Sequence, residues 1–362
     1  MLQMQPYSPG RPIEEVQREL GLADVIKLAS NENPLGPSPK VVEAISVAAR
    51  RLSLYPDAAC FELRTVIAST FGLNPDHVVV GNGSDELIGL LGQVLIQSPA
   101  DEILAGDPSF VRYDAVACLA PCKLVKVPVD AELIIDLEAV AEATTPQTRI
   151  IFLANPNNPT GTIYRRAAFE KFLAQIPEHV AVVLDEAYCD FAAQEADYPN
   201  GLDYLAKHNN VVVLRTLSKA YGLAGIRVGF MVGSSELVDA INRARGPFNV
   251  NSLAQAAAIT ALQDHEYLQR SLAHNGKALK ALSEALTAHG ARVYASYANF
   301  VLADMGEPAK PIFEALMRKG VIVRSGHVLG LPNCLRVSVG TDEEVVRFVE
   351  ALEAVMKEKV AT

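Results

Sequence analysis

The chain has 362 residues, with 32 Lys and Arg against 42 Asp and Glu, which gives a formal net charge of −10. Half of the residues are hydrophobic and 20% are charged, so an intrinsically disordered, collagen-like or coiled-coil chain is excluded as the main state. The acidic balance also argues against a nucleic-acid partner, because phosphate backbones attract clustered Lys and Arg.

The N-terminal residues contain no apolar run typical of a secretory signal. The most apolar stretch, residues 87–96, is far shorter than the roughly 20 residues of a membrane span. The five cysteines are scattered, without the spacing of a zinc site or a disulfide framework. We therefore expect a cytoplasmic protein with reduced thiols, no bound metal and no membrane association.

Residues 1–40 are rich in Pro, Gly and Asn and predict an extended N-terminal arm with turns. Over residues 41–252, short apolar runs alternate with longer helical stretches, which predicts a large α/β domain. Runs that are apolar on both faces are typical of a buried, mostly parallel sheet, here of about seven strands. The predicted strands lie at 77–80, 103–105, 124–127, 150–154, 180–184, 211–214 and 228–232.

Residues 253–362 no longer show the regular alternation of strands and helices. An Ala- and Leu-rich stretch to residue 289 predicts a long interdomain helix or a helix pair. Short strands at 291–294, 300–303, 321–324 and 335–339 then predict a smaller C-terminal α+β domain. Thr341 and Glu344 form a capping-box pattern ahead of a final helix over 342–359.

A glycine motif at 81–83 directly follows the first strand of the large domain. A dinucleotide-binding fingerprint would need a third glycine at the position of Glu86, so that interpretation fails. A helix that begins at Ser84 or Asp85, just after Gly83, would still offer unpaired N–H groups to an anion, most often a phosphate. An ordinary capped turn is the alternative.

Two further motifs follow buried strands. The sequence N-P-N-N-P-T-G at 155–161 predicts a rigid turn that would aim the amide of Asn158 at a ligand. The sequence D-E-A-Y places Asp185 at the end of the most apolar strand, where a buried carboxylate needs a cationic partner. Tyr188 would reach the same region. A plain turn and a helix N-cap are the alternatives.

The fourth motif, T-L-S-K at 216–219, follows another strand. Lys219 has apolar neighbours, and a lysine in a dry environment becomes nucleophilic towards carbonyls. Thr216, Ser218 and Arg227 are donors suited to one phosphate, although a solvated basic patch is the alternative. Together the motifs supply an amine, a carboxylate for a ring nitrogen, donors for a ring oxygen and an anion cradle, which are the needs of pyridoxal 5′-phosphate.

These motifs, in this order, closely resemble those of the fold type I, class I and II aminotransferases. Further segments are similar to the histidinol-phosphate aminotransferase family within that group, so the resemblance covers nearly the whole chain. These segments are P-Y-x-P-G at 6–10, K-L-A-S-N-E-N-P-L-G-P-S at 27–38, Y-P-D at 55–57, D-P-S-F-x-x-Y at 107–113, V-I-V-R at 321–324 and L-R-V-S-V-G-T at 335–341.

The resemblance implies pyridoxal 5′-phosphate as cofactor and assigns roles to these residues. Lys219 would bond to the cofactor aldehyde and then move the substrate proton. Asp185 would keep the ring nitrogen protonated, and Asn158 and Tyr188 would hold the ring oxygen. Phe110 would stack on the ring. The implied phosphate contacts are Gly83, Ser84, Asp85, Thr216, Ser218 and Arg227, with Tyr55 reaching over from the neighbouring subunit of a homodimer with shared sites.

The resemblance also implies the reaction, a ping-pong amino transfer between L-histidinol phosphate and 2-oxoglutarate in histidine biosynthesis. The products would be imidazole acetol phosphate and L-glutamate. Substrate anions would be bound by Arg336 and Arg324, with Tyr7 and Asn33. An aromatic amino acid (Phe/Tyr) aminotransferase, a threonine-phosphate decarboxylase and a cofactor-binding regulatory domain without turnover are the alternatives.

Overall fold

The computed structural model describes residues 11–360, with only the backbone of Val360. Its helices are α1 Ile13–Leu20, α2 Pro39–Ala48, α3 Phe61–Phe71, α4 Ser84–Leu95, α5 Arg112–Leu119, α6 Leu137–Glu142, α7 Arg166–Leu173, α8 Cys189–Ala192, α9 Ser235–Ala244, α10 Ser252–Gln263, α11 His265–Ala288, α12 Lys310–Arg318 and α13 Asp342–Val360. Its strands are β1 Ile26–Lys27, β2 Val78–Gly81, β3 Glu102–Asp107, β4 Lys123–Pro128, β5 Thr148–Ala154, β6 Ala181–Asp185, β7 Val211–Thr216, β8 Gly229–Val232, β9 Arg292–Val293, β10 Phe300–Asp304, β11 Val321–Ile322, β12 Arg324–Ser325 and β13 Cys334–Ser338.

The larger sheet has seven strands in the order β2-β8-β7-β6-β5-β3-β4. Only β8 runs antiparallel to its neighbours, and the other pairings are parallel. Strands β6 and β7 are buried almost throughout, because helices cover both faces of the sheet and their Val- and Leu-rich sequences leave no polar face. The predicted α/β class and mostly parallel sheet are confirmed.

The carboxyl ends of β2, β5, β6 and β7 meet at one edge of this sheet. Strands β2 and β7 both run antiparallel to β8 and therefore parallel to each other. Ala154 at the end of β5 pairs with Asp185 at the end of β6, which in turn lies beside Leu214 of β7. Ligands bind at this edge of open α/β sheets, and all four sequence motifs follow these strands.

The smaller sheet is antiparallel, in the order β12-β13-β10-β9, and packs with α11, α12 and α13 around a second core that includes Leu282 and Phe348. The predicted helix pair is confirmed as α10 and α11, which meet at Asp264. The predicted capping box is also confirmed: Glu344 Oε2 accepts from Thr341 N at 2.8 Å, and Thr341 Oγ1 accepts from Glu344 N at 3.2 Å.

The N-terminal arm differs from the extended segment that we predicted. Residues 13–20 form α1, whose Val16 is fully buried, and the helix ends at Gly21 with a left-handed φ of +66°. Strand β1 then pairs in parallel with β11. A helix forms because Ile13 and Val16 share one helical face, a spacing that the surrounding Pro and Gly residues obscure. The domain boundaries at 40 and 252 stay predictions.

Residues 11–360 include no helix with the length and apolarity that crossing a bilayer requires. Within the same residues, no group of three or more His, Cys, Asp or Glu side chains is placed to hold a metal ion.

Candidate active site

A cavity of about 290 Å³ lies where the carboxyl ends of the large sheet face β13 of the smaller sheet. It is the place where most of the predicted site residues come together. Those that line it are Ser84, Asp85, Phe110, Asn158, Asp185, Tyr188, Thr216, Ser218, Lys219, Arg227 and Arg336.

One end of the cavity has the geometry of an anion cradle. Gly83 caps α4 with a φ of +78°, and a Cβ there would lie 2.6 Å from Arg227 Nη2. A Cβ on Gly229 would lie 2.5 Å from the backbone nitrogen of Ser84. These glycines therefore keep the start of α4 and the guanidinium close together. The hydroxyl groups of Thr216 and Ser218 line the same cavity. Thr216 Oγ1 donates to Ser218 Oγ at 3.0 Å.

Lys219 lies three residues beyond β7, between buried neighbours that include Leu217 and Ala220. Its Nζ donates to the backbone oxygen of Asn31 at 3.2 Å and lies 5.5 Å from the centre of the Tyr188 ring. The amine therefore enters the cavity beside an aromatic face, in reach of a ligand on the sheet edge.

Asp185 is a buried carboxylate at the floor of the cavity. Its Oδ2 accepts from Tyr113 OH at 2.8 Å and its Oδ1 accepts from Ala187 N at 3.2 Å. Burial raises the pKa of Asp185 to about 6, and these two hydrogen bonds act in the opposite direction. Its two hydrogen-bond donors are neutral, and a cationic ring nitrogen would stabilise the ionised form.

The side chains of Asn158, Tyr188 and Arg336 line the same cavity as Asp185. Arg336 Nη1 donates to Asn158 Oδ1 at 2.6 Å, and Nη2 donates to the backbone oxygen of Ala29 at 2.8 Å. Because Oδ1 of Asn158 already accepts from a guanidinium, its Nδ2 is the group left to donate into the cavity.

Arg324 lies on β12 directly opposite Arg336 on β13. Residues paired in this way on antiparallel strands project to the same face of the sheet. The two guanidinium groups therefore share the face of the smaller sheet that borders the cavity.

Among the predicted residues that the structure describes, Arg324, Asn33 and Tyr55 do not line the cavity. Asn33 does not line the cavity: its Nδ2 donates to backbone oxygens of Lys219 and Ala220 and to Ser271 Oγ, so it secures the loop that carries the lysine. Tyr55 is 82% exposed and stacks on Phe248 with ring centres 4.7 Å apart. Tyr7 lies outside the described residues.

Among the site residues that sequence reasoning missed, Tyr113 and Asn31 make hydrogen bonds to predicted ones. Tyr113 is fully buried, stacks on Phe152 at 4.5 Å and holds Asp185. Asn31 lines the cavity and contacts Tyr188 and Lys219. Both residues lie inside motifs that we quoted, but only their contacts with residues far along the chain reveal them.

The donor set fits pyridoxal 5′-phosphate. The glycine cradle with Ser84, Ser218 and Arg227 matches a phosphate, and Lys219 matches an aldehyde. Asp185 matches a protonated ring nitrogen, and the donors of Asn158 and Tyr188 match a ring oxygen.

Comparison with known proteins also indicates an aminotransferase. Residues 23–352 match the family model described as aminotransferase class I and II. Histidinol-phosphate aminotransferases of Moorella thermoacetica and Carboxydothermus hydrogenoformans are both 45% identical to the chain, over 98% of its length and 92% and 97% of theirs. The histidinol-phosphate aminotransferase of Sinorhizobium meliloti, solved with pyridoxal 5′-phosphate, superposes with a TM-score of 0.90 at 29% identity over 99% of each chain. The chain therefore belongs to the aminotransferase class I and II family, as its motifs predicted.

Proposed function

We propose that this chain is a pyridoxal-phosphate-dependent aminotransferase that moves the amino group of L-histidinol phosphate to 2-oxoglutarate. The observation that carries the proposal is one cavity that holds an amine, a buried carboxylate and a substrate-side guanidinium, from Lys219, Asp185 and Arg336. The full-length similarity to histidinol-phosphate aminotransferases supports the choice of amino donor.

The cofactor, when bound, supplies an aldehyde carbon that accepts the substrate nitrogen and a ring that takes up the electrons of the cleaved Cα–H bond. Lys219 Nζ is the base that removes the Cα proton and returns it. Asp185 would hold a proton on the ring nitrogen, with Tyr113 fixing the carboxylate. Asn158 and Tyr188 would donate to the ring oxygen, and the start of α4 with Arg227 would hold the phosphate.

The two substrates are both anions that a guanidinium binds well. A planar guanidinium pairs in the same bidentate way with a carboxylate and with a phosphate. Arg336, with Arg324 on the adjacent strand, can therefore bind the carboxylate of glutamate in one half-reaction and the phosphate of histidinol phosphate in the other. The amino group stays on the enzyme between the two, so the kinetics are ping-pong.

We also propose a homodimer in which Tyr55 reaches the cofactor phosphate of the partner subunit. Tyr55 stacks on Phe248, and both side chains are exposed, as are the apolar side chains of Leu52, Leu54 and Phe61 nearby in the chain. We call these five residues the dimer patch. Exposed apolar side chains that adjoin one another are typical of a protein interface. We place the enzyme in the cytoplasm, and five unpaired cysteines agree with a reducing compartment.

The test is a steady-state comparison of amino donors with 2-oxoglutarate as acceptor. We expect kcat/KM for L-histidinol phosphate to exceed that for L-phenylalanine, with parallel double-reciprocal lines and one glutamate formed per imidazole acetol phosphate. A higher kcat/KM for L-phenylalanine would assign the enzyme to aromatic amino acids. Release of carbon dioxide without need of an oxo acid would assign it to the decarboxylases.

A further inference from the structure

Asn31 lines the cavity, and no role has yet been given to it. It follows β1, is 2% exposed, and has a left-handed φ of +55°. Non-glycine residues seldom adopt this conformation, although Asn tolerates it better than most. The conformation persists because the contacts of this residue hold it.

Every polar atom of Asn31 has a partner. The side-chain Nδ2 donates to Tyr188 OH at 2.9 Å, and Oδ1 accepts from Ser338 Oγ at 2.8 Å. The backbone N donates to the same Oγ at 2.9 Å. The backbone oxygen accepts from Lys219 Nζ at 3.2 Å and from Asn299 Nδ2 at 2.9 Å.

The contact with Tyr188 decides which way the phenol proton points. A phenol oxygen has one proton to donate and can accept from others. Because Asn31 Nδ2 is a donor, Tyr188 accepts in that bond and keeps its own proton for another partner. Tyr188 lines the cavity, so its hydroxyl is directed there as a donor.

The contacts with Ser338 connect this arrangement to the substrate-binding strand. Ser338 lies two residues after Arg336 on β13, and alternate residues of a strand face the same side. Asn31 therefore contacts the strand of the substrate arginine, the catalytic amine and the phenol at the same time.

We propose that Asn31 is a positioning residue that makes Tyr188 a hydrogen-bond donor to the cofactor ring oxygen and locates the Lys219 amine. This inference rests on the proposed function, because it assigns the donor to that cofactor. The amide of Asn31 acts through Tyr188, and its backbone oxygen acts on Lys219.

The test is a pH titration of the visible absorbance of the holoenzyme, which needs no turnover. Asn31→Gly removes the side chain and suits the positive φ. Asn31→Asp keeps the shape but replaces the Nδ2 donor by an acceptor, which turns the Tyr188 proton away from the cavity. A ring oxygen that loses its donor holds a proton more tightly. We therefore expect the midpoint of the absorbance titration to rise by about 0.5 pH unit in Asn31→Gly and by about 1 pH unit in Asn31→Asp.

The same substitutions in a Tyr188→Phe background test whether Asn31 acts through the phenol. We expect most of the shift to vanish there. Asn74→Gly, at an exposed turn remote from the cavity, is the control and should titrate as the parent does. Melting temperatures of the cofactor-free proteins identify any variant that fails to fold.

Unchanged midpoints in both folded variants would overturn the proposal, and so would an equal shift with and without the Tyr188 hydroxyl. A parent protein that shows no cofactor absorbance would instead contradict the proposed function itself.

Discussion

Asp185 is a buried carboxylate whose two hydrogen-bond donors, Tyr113 and Ala187, are both neutral. Burial raises its pKa from 3.8 to about 6. Without the cofactor, ionising this group opposes folding, and with the cofactor a cationic ring nitrogen stabilises it. The same side chain should therefore destabilise the cofactor-free protein at neutral pH and stabilise the loaded enzyme.

The Asp185→Asn variant tests whether the cofactor reverses the effect of Asp185 on stability. The pKa of Asp185 is higher in the folded than in the unfolded protein, so the folded protein binds more protons between about pH 4 and pH 6. Its free energy of unfolding therefore falls by roughly 3 kcal/mol as the pH rises through this range. Asn removes this contribution. We expect the cofactor-free variant to melt above the cofactor-free parent at pH 7.5 and about level with it at pH 4.5.

With cofactor added, the order should reverse, and the variant should bind cofactor yet lose most of its activity. The same pH dependence of melting temperature in both cofactor-free proteins would show that Asp185 is only a helix cap.

We propose that Lys219 carries both the bond to the cofactor and the proton transfer. The Lys219→Ala variant should lose about 10³-fold or more of kcat, because it lacks the catalytic base as well as the nucleophile. Lys207→Ala, at an exposed lysine, is the control. Turnover of the Lys219→Ala protein at the parent rate would contradict the site assignment.

We propose that Arg336 binds the substrate rather than the cofactor. Arg336→Ala should raise the KM for L-glutamate about 10²-fold, the value of one bidentate charged pair, while the cofactor Kd changes little. Arg336→Lys keeps the charge but not the planar fork, so it should recover only part of the loss. Parallel losses of substrate and cofactor binding, measured by titration, would contradict this division.

At the scale of elements, the cradle depends on the close approach of the start of α4 to the start of β8. A side chain on Gly229 would meet the backbone of Ser84 at 2.5 Å, and backbone cannot move aside. Gly229→Ala should therefore weaken cofactor binding about tenfold or more, through lost phosphate hydrogen bonds. Gly83→Ala, at a φ of +78°, should act in the same direction.

Gly89→Ala is the matched control, since Gly89 lies within the same helix and a Cβ there meets nothing within 4 Å. It should stabilise the protein by about 0.5–1 kcal/mol and leave the cofactor Kd unchanged. Equal cofactor affinity in the Gly229→Ala and Gly89→Ala proteins would show that the cradle does not bind the phosphate.

The sequence predicts the elements that carry the site, because apolar strands, the turns after them and the Asp, Lys and Asn at those turns are local signals. Tyr113 and Asn31 could not be found in this way. Tyr113 meets Asp185 across 72 positions, and Asn31 meets Tyr188 across 157, so only the folded topology brings these pairs together. Sequence analysis missed helix α1 because the Pro and Gly residues on either side indicate turns, and the apolar face of the helix, marked by Ile13 and Val16, is short.

At the scale of the whole molecule, the dimer patch makes assembly testable. Leu54→Glu places a charge in the patch and should shift the protein from dimer to monomer in sedimentation velocity, with weaker cofactor binding because Tyr55 can no longer reach the partner's site. Val346→Glu alters an equally exposed apolar residue on α13 and should remain dimeric. A monomeric parent, or a dimeric Leu54→Glu protein with parent affinity, would contradict the shared site.

The central claim is that the cavity binds pyridoxal phosphate and takes the amino group of L-histidinol phosphate. The most direct measurement is the visible absorbance of the purified protein before and after L-histidinol phosphate or L-phenylalanine is added without an acceptor. We predict a yellow band that moves to the near ultraviolet at a much lower concentration of L-histidinol phosphate. A shift with L-phenylalanine alone would contradict the substrate, and no band after addition of pyridoxal phosphate would contradict the whole account.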